Sequence, residues 1–378
     1  MPASRPLSSC RQADAWAVSS THLLSCTEAS SWAIRLHQTE KFVDAHVAKA
    51  LELHQKVPVI DTHTHFLLAG YYLRKRFERP HRPPLFWNPL RNTVDMPRMR
   101  QGRIACLAFT VYVPPPPLRV SAWRAAQNML DFLDRTIARN ASEMIKVHNA
   151  RGIVAAHRQQ KLAALPAVEG GHVIGNDADR ITNLRERGVR LLTLTHFIPN
   201  RICDAHVGPA IHGGLSDFGK EVLAVCRHTG VVVDLAHASE KAFFQVLERL
   251  DKPPVVTHAA LREHGRSQRY MKNDQIRELA SAGGCLGVLM CPWYQQRIGI
   301  AGSLDRAADV YCRLADLVGP EHLMIGTDMD GFTWLPRGMR DAADLPRLTA
   351  KLLERGFTAS EIEGILGGNF LRVLAQWE

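Results

Sequence analysis

The stretch VPVIDTHTHF, residues 57–66, runs apolar and then delivers Asp61, His63 and His65. Side chains two apart share one face of a strand, so His63 and His65 point together with Asp61 in line behind them. Two imidazoles on one face at a strand end suit metal binding or catalysis. The same ending recurs along the chain. VRLLTLTH ends in His196, VVVDLAH in His237 and PPVVTH in His258, while KLAALPAVEG carries Glu169 and HLMIGTD stops at Asp328. Imidazole and carboxylate are the ligands of Zn²⁺, Mn²⁺, Fe²⁺ or Co²⁺. Such ions activate water for hydrolysis, so this set of residue types points to metal-assisted chemistry.

Of the 18 histidines in the chain, several are expected to be incidental. His172 either orients Glu169 or caps a turn; His206 and His212 read as loop contacts or substrate neighbours. His264 sits among arginines in LREHGRSQR and reads as solvated. Asp234 reads as a core-edge carboxylate or a partner that orients His237. Asp61 has a supporting or a turn role. Asp330 shares a face with Asp328 and competes with it for proton transfer.

Seven side chains can meet only if their elements converge. Eight short apolar runs recur: 57–63, 103–113, 161–170, 189–196, 231–237, 253–258, 284–290 and 322–328. Their nearly continuous apolar character is that of parallel strands buried on both faces. Helix-like stretches separate them, among them DFGKEVLAVCRHTG and NDQIRELASAGG, each closed by glycine. Eight such units predict a closed (β/α)₈ barrel, whose strand ends converge on one mouth where active sites form. An open doubly wound sheet is the alternative, but no GxGxxG or GxxxxGK[ST] loop accompanies it. One barrel over residues 39–378 is expected, preceded by a poorly ordered extension over 1–38. Long loops at 67–102 and 114–150, the second running from PPPP into an amphipathic helix, would shape access to the mouth.

Composition narrows the partners. The chain has 378 residues, 46% hydrophobic and 22% charged, and a net charge of +10. The basic residues are scattered without interleaved aromatics, which argues against nucleic acid. Eight cysteines form no CxxC pair and lie partly in apolar runs, as reduced thiols do. No signal-peptide pattern, membrane-length apolar run or lipid-anchor signal is visible. A cytoplasmic protein without membrane attachment is the expectation.

The motifs together carry more than a pattern. AVEGGHVI, GVRLLTLTH, GLSDFGKEVLAVCRHTGVVVDLAHAS, PVVTH, QRYMKND, IGTDMDG and GGNFLRVL resemble, in order, the renal (membrane) dipeptidase family of zinc peptidases. The resemblance runs from about residue 40 to the C-terminus. It implies a (β/α)₈ metallohydrolase with two zinc ions, a homodimer, and a dipeptide as substrate. It implies His63 as a ligand of the first ion, Glu169 as the bridge, and His237 and His258 as ligands of the second. His196 would contact the substrate at the scissile carbonyl, Arg269 would receive its free carboxylate, and Asp328 would shuttle the proton. The chain departs from the family at His65, where the first motif normally has aspartate; His65 remains a competent ligand. Phe197 also stands where the family often has a polar residue. The His-x-His start keeps a second reading open, a related amidohydrolase acting on another small amide, ester or lactam. A non-catalytic binding protein is the third.

Overall fold

The computed structural model describes residues 45–80, 93–114, 120–264, 269–294, 302–332 and 334–378. The extension anticipated over 1–38 and most of the Pro-rich stretch after Pro80 lie outside these residues. Ten strands are present among the described residues: β1 Ile60–Thr64, β2 Cys106–Tyr112, β3 Met144–Lys146, β4 Leu162–Glu169, β5 Leu191–Thr193, β6 Val232–Asp234, β7 Val255–Leu261, β8 Tyr270–Met271, β9 Cys285–Val288 and β10 Leu323–Ile325.

Eight of them close a parallel barrel in the order β1-β2-β4-β5-β6-β7-β9-β10, with β10 returning to β1. These eight are the eight apolar runs of the sequence. β2, β4 and β7 are buried almost throughout, as strands lined by side chains inside and helices outside must be. Two strands were not anticipated. β3 lies beside the start of β4, and β8 pairs with the end of β7.

The helices begin and end where their caps dictate. Asp217–Thr229 starts on the Ser216 side chain, which accepts from the Gly219 amide, and stops at Gly230, left-handed at φ 74°. Residues 45–56 are helical and lead into β1. The segment 67–102, expected as a loop, contains helices of its own, and 114–150 carries the amphipathic helix expected after its prolines. Phe66–Leu73 and Met96–Gln101 are helices, as is Ala122–Arg139, whose apolar face packs toward β2.

Under the mouth the barrel is narrow. A Cβ on Gly326 would lie 1.7 Å from the Thr257 carbonyl oxygen, and one on Gly287 would lie 2.0 Å from it. Only hydrogen-bearing glycine lets β9, β10 and β7 approach this closely.

Candidate active site

The C-terminal ends of the barrel strands bring the predicted residues together. His63 belongs to β1, His258 to β7 and Glu169 ends β4. His65, His196, His237 and Asp328 stand just beyond β1, β5, β6 and β10. His237 and Asp328 adopt left-handed backbones, φ 67° and 59°, a cost tolerated where function holds it. Backbone bonds extend the β1–β10 ladder into the site: the His65 amide donates to the Met329 carbonyl at 2.8 Å, and the Asp328 amide to the His63 carbonyl at 3.0 Å. Gly331 then clears the space, since a Cβ there would lie 2.2 Å from Asp328 Oδ1 and 2.6 Å from His65 Cδ2.

Glu169 is the hub. Its Oε1 lies 3.1 Å from His237 Nε2, 3.5 Å from His258 Nε2 and 3.5 Å from His63 Nε2, while Oε2 lies 3.3 Å from His65 Nε2. Asp328 Oδ1 sits 3.1 Å from His65 Nε2. Both Glu169 oxygens and Asp328 Oδ1 are buried without a hydrogen-bond partner. Orphaned carboxylate oxygens ringed by imidazole nitrogens are expensive unless a cation joins them. Two triads, His63–His65–Glu169 and Glu169–His237–His258, each gather their ligand atoms within 4.8 Å and share Glu169. The residues therefore fit divalent metal, with all five sequence-predicted ligands in one cluster.

Electrostatics agree. Burial and then the nearby Arg269 charge hold the His237 imidazole well below its ordinary pKa, and burial and His63 do the same to His258, so both are neutral. Neutral imidazole is the ligand form. Burial opposes charge on His65, yet the Asp328 and Glu169 carboxylates push its imidazole up to about 10. Carboxylates that favour a proton there favour a metal cation in its place. Burial also disfavours charge on Glu169, but His196 and His63 keep its carboxyl well below the usual range.

The two other acids of these strand ends lie beneath the ligands and are already satisfied. Asp61 accepts from the Thr327 hydroxyl at 2.6 Å and the Thr327 amide at 3.0 Å. Asp234 accepts from the hydroxyls of Thr193 and Thr257, at 2.6 and 2.7 Å, and from the amides of Ala236 and Thr257. Asp234 thus reaches His258 through Thr257, and not His237 as the sequence suggested.

A cavity of about 350 Å³ opens over the cluster, lined by His65, Glu169, His196, His237, Arg269 and Asp328. That volume is in the range of small-molecule sites. Arg269 is 5% exposed and donates from Nη2 to the His258 carbonyl at 2.9 Å. His196 Nε2 lies 3.8 Å from Glu169 Oε1, and burial lowers its pKa so that the ring is neutral. Phe197 meets His196 edge-to-face at 4.3 Å between ring centroids and contributes apolar wall.

The remaining candidates separate cleanly. Asp330 turns away and accepts from the Thr93 amide and hydroxyl, both at 2.7 Å. His172 bonds the Val113 carbonyl and His212 the Asn200 carbonyl, as ties between loops. The His264 side chain lies outside the described residues. His206, read as a loop contact, packs on the His237 ring at 5.0 Å and meets its carbonyl through Nδ1 at 3.1 Å. Two cavity tyrosines were missed: Tyr112, pushed up to about 12 by burial and Glu169, and Tyr294. Tyr112 ends β2, paired with Glu169 at the end of β4, although the apolar run itself closes one residue later at Val113. Tyr294 lies in a loop with no such signal.

Known proteins are similar to this chain in sequence and in fold. Residues 47–378 match the model of the membrane dipeptidase family, peptidase family M19. Dipeptidase verJ of Clonostachys rogersoniana is 30% identical over 348 residues, 88% of this chain and 87% of that protein. Dipeptidase 3 of Mus musculus is 29% identical over 87% of this chain and 66% of its own length. Among solved structures, the probable dipeptidase PvdM from Pseudomonas aeruginosa superposes with a TM-score of 0.80 at 17% identity, covering 88% of this chain and 98% of that one. A metallo peptidase from Rhodobacter sphaeroides liganded with a phosphinate mimic of the dipeptide L-Ala-D-Ala gives 0.76 at 22% identity, over 85% and 99%.

Proposed function

The chain belongs to the membrane dipeptidase family and is a metal-dependent dipeptidase; from that premise we propose how its own residues hold metal, grip substrate and move the proton. The observation that carries the reading is Glu169, whose two unpartnered oxygens are shared between two histidine-rich triads. His63, His65 and Glu169 would hold one divalent ion, and Glu169, His237 and His258 a second; nitrogen and oxygen donors of this kind suit zinc. When bound, such ions supply Lewis acidity and an activated water.

The other steps belong to side chains. Arg269 offers a planar pair of donors at the cavity wall and selects a substrate with a free C-terminal carboxylate. Its burial strengthens that grip, because few waters compete. His196 is neutral, so one ring nitrogen carries a proton for the oxygen that becomes negative at the scissile carbonyl. A single such donor contributes about 3 kcal/mol. Asp328 receives the proton of the attacking water and delivers it to the leaving amine. The side chain of Asp328 keeps 17% exposure although Oδ1 is buried, which leaves Oδ2 toward the cavity for that role.

The R. sphaeroides relative bound to a phosphinate dipeptide mimic supports a dipeptide as ligand for this cavity. A homodimer is part of the same reading, and exposed Phe197, Ile198, Val207 and Ile211 supply apolar surface for it. A cytoplasmic location is supported by the six described cysteines, none of them in a disulfide. Among the described residues, no helix is long and apolar enough to cross a membrane.

The test is release of amino acids from L,L- and L,D-dipeptides by protein purified with its metals, beside a chelated sample. Cleavage is expected to need metal and to vanish when the substrate C-terminus is amidated. Cleavage of amidated substrates at an equal rate would remove Arg269 from its role and favour a broader amidohydrolase.

A further inference from the structure

One hydroxyl touches both candidate metal triads. Thr257 Oγ1 lies 2.9 Å from His258 Nδ1 and 3.4 Å from His63 Nδ1, one ligand from each triad. It also lies 2.7 Å from Asp234 Oδ2. Proton accounting fixes the direction of all three contacts. Asp234 takes four donors and is an acceptor, so the single hydroxyl proton of Thr257 goes to it. The Thr257 oxygen can then only accept, and both imidazoles must carry their proton on Nδ1. Their Nε2 lone pairs are thereby set toward Glu169, where a metal would sit.

Asp234, His63 and His258 also lie within 4.8 Å of one another, as a third ligand triad would. The hydrogen bonds above assign that grouping to support and not to a third ion. Thr257 itself has little freedom to move. Its carbonyl oxygen is enclosed by Gly287 and Gly326, Asp234 is 0% exposed, and Thr193 locks the same carboxylate oxygen from the other side.

We propose that Thr257, backed by Asp234, is a positioning residue shared by the two metal sites, so that its hydroxyl governs loading of both ions together. This rests on the ligand sets proposed above, and its test uses metal binding alone, without substrate. Protein stripped of metal by chelator is titrated with Zn²⁺ against a competing chromogenic chelator, and bound metal is counted by mass spectrometry. Thr257→Val, which keeps shape and loses the hydroxyl, is expected to weaken both ions by 10- to 100-fold, the usual effect of removing a partner of a ligating histidine. Thr257→Ser, which restores the hydroxyl, is expected to stay within threefold of the parent, while thermal unfolding of the metal-free proteins stays matched. Asp234→Asn, whose amide offers only one acceptor, reads the same coupling should Thr257→Val fail to fold. Loss at one ion only, or retention of both within threefold by Thr257→Val, overturns the shared role. Paired loss of metal in a protein that cleaves no dipeptide would leave the brace standing and remove the peptidase reading instead.

Discussion

His65 stands where the family resemblance leads one to expect an aspartate. A histidine there in place of a carboxylate leaves Glu169 as the anion common to both triads, and a second anion meets the same ring nitrogen, with Asp328 Oδ1 at 3.1 Å and Glu169 Oε2 at 3.3 Å from Nε2. Restoring the family's residue should therefore add an anion to a site that already has two. His65→Asp is expected to hold the first ion about tenfold more tightly at pH 7.5, read by chelator competition, because each anionic ligand strengthens binding of a dication in a dry site. Equal or weaker retention would mean that the Asp328 carboxylate already supplies the missing charge. At this scale the sequence was unusually legible. The side chains that gather around Glu169 declared themselves by type and spacing at the ends of apolar runs. Thr257 did not, because a threonine inside an apolar strand carries no sign of which carboxylate it will meet. Asp234 was visible as an acid beside a ligand, but its true partner lay 23 residues further on, across β7.

Elements place these residues by close approach. The barrel brings β10 against β7 only because Gly326 has no side chain, and the Thr257 carbonyl occupies the space a methyl would need. Gly326→Ala is expected to cost about 3 kcal/mol or more in urea unfolding of the metal-free protein and to weaken metal binding, since relief of the clash must displace β7. Gly368→Ala, where a Cβ meets nothing nearer than 3.4 Å, serves as the control and should leave both unchanged. The eight barrel strands could be read in advance because burial on both faces leaves a nearly unbroken apolar run. β3 and β8 could not, because neither Met144–Lys146 nor Tyr270–Met271 lies in an apolar run and each is defined by pairing alone. The stretch 67–102 read as a loop because Pro and Arg dominate it, whereas the amphipathic helix after PPPP was legible and is Ala122–Arg139, capped by Ser121. Phe66–Leu73 has no side-chain cap and is held by its contacts with β2, which local sequence does not announce.

At the scale of the molecule, a buried histidine far from the site ties the lower rim together. His54 is 0% exposed, with Nδ1 on the Gly102 carbonyl and Nε2 on the Thr349 hydroxyl, both at 2.8 Å. Burial holds its pKa down at about 4. The folded protein keeps it neutral while the unfolded chain takes up a proton below about 6.5, so stability is lost as pH falls from 6.5 toward 4. The loss attributable to this residue reaches about 3 kcal/mol. Denaturant unfolding at pH 7 and pH 4.5 should show a smaller drop for His54→Gln than for the parent, and an equal drop would assign the acid sensitivity elsewhere.

Glu169 also occupies the most securely held strand. β4 pairs with β2 through seven consecutive residues, Cys106↔Ala163 to Tyr112↔Glu169, and is flanked by β3 and β5 as well. β5, which leads to His196, has a ladder only three residues long on either side. The site should then come apart in an order. In hydrogen-exchange mass spectrometry, amides of 163–169 are expected to exchange only by global opening, and those of 191–196 by an earlier, partial one. A chain that loses the placement of His196, the proposed oxyanion donor, while keeping Glu169, the proposed bridge, would bind metal and not turn over, a resting form that mild stress creates and cooling reverses. Simultaneous exchange of the two segments would exclude it.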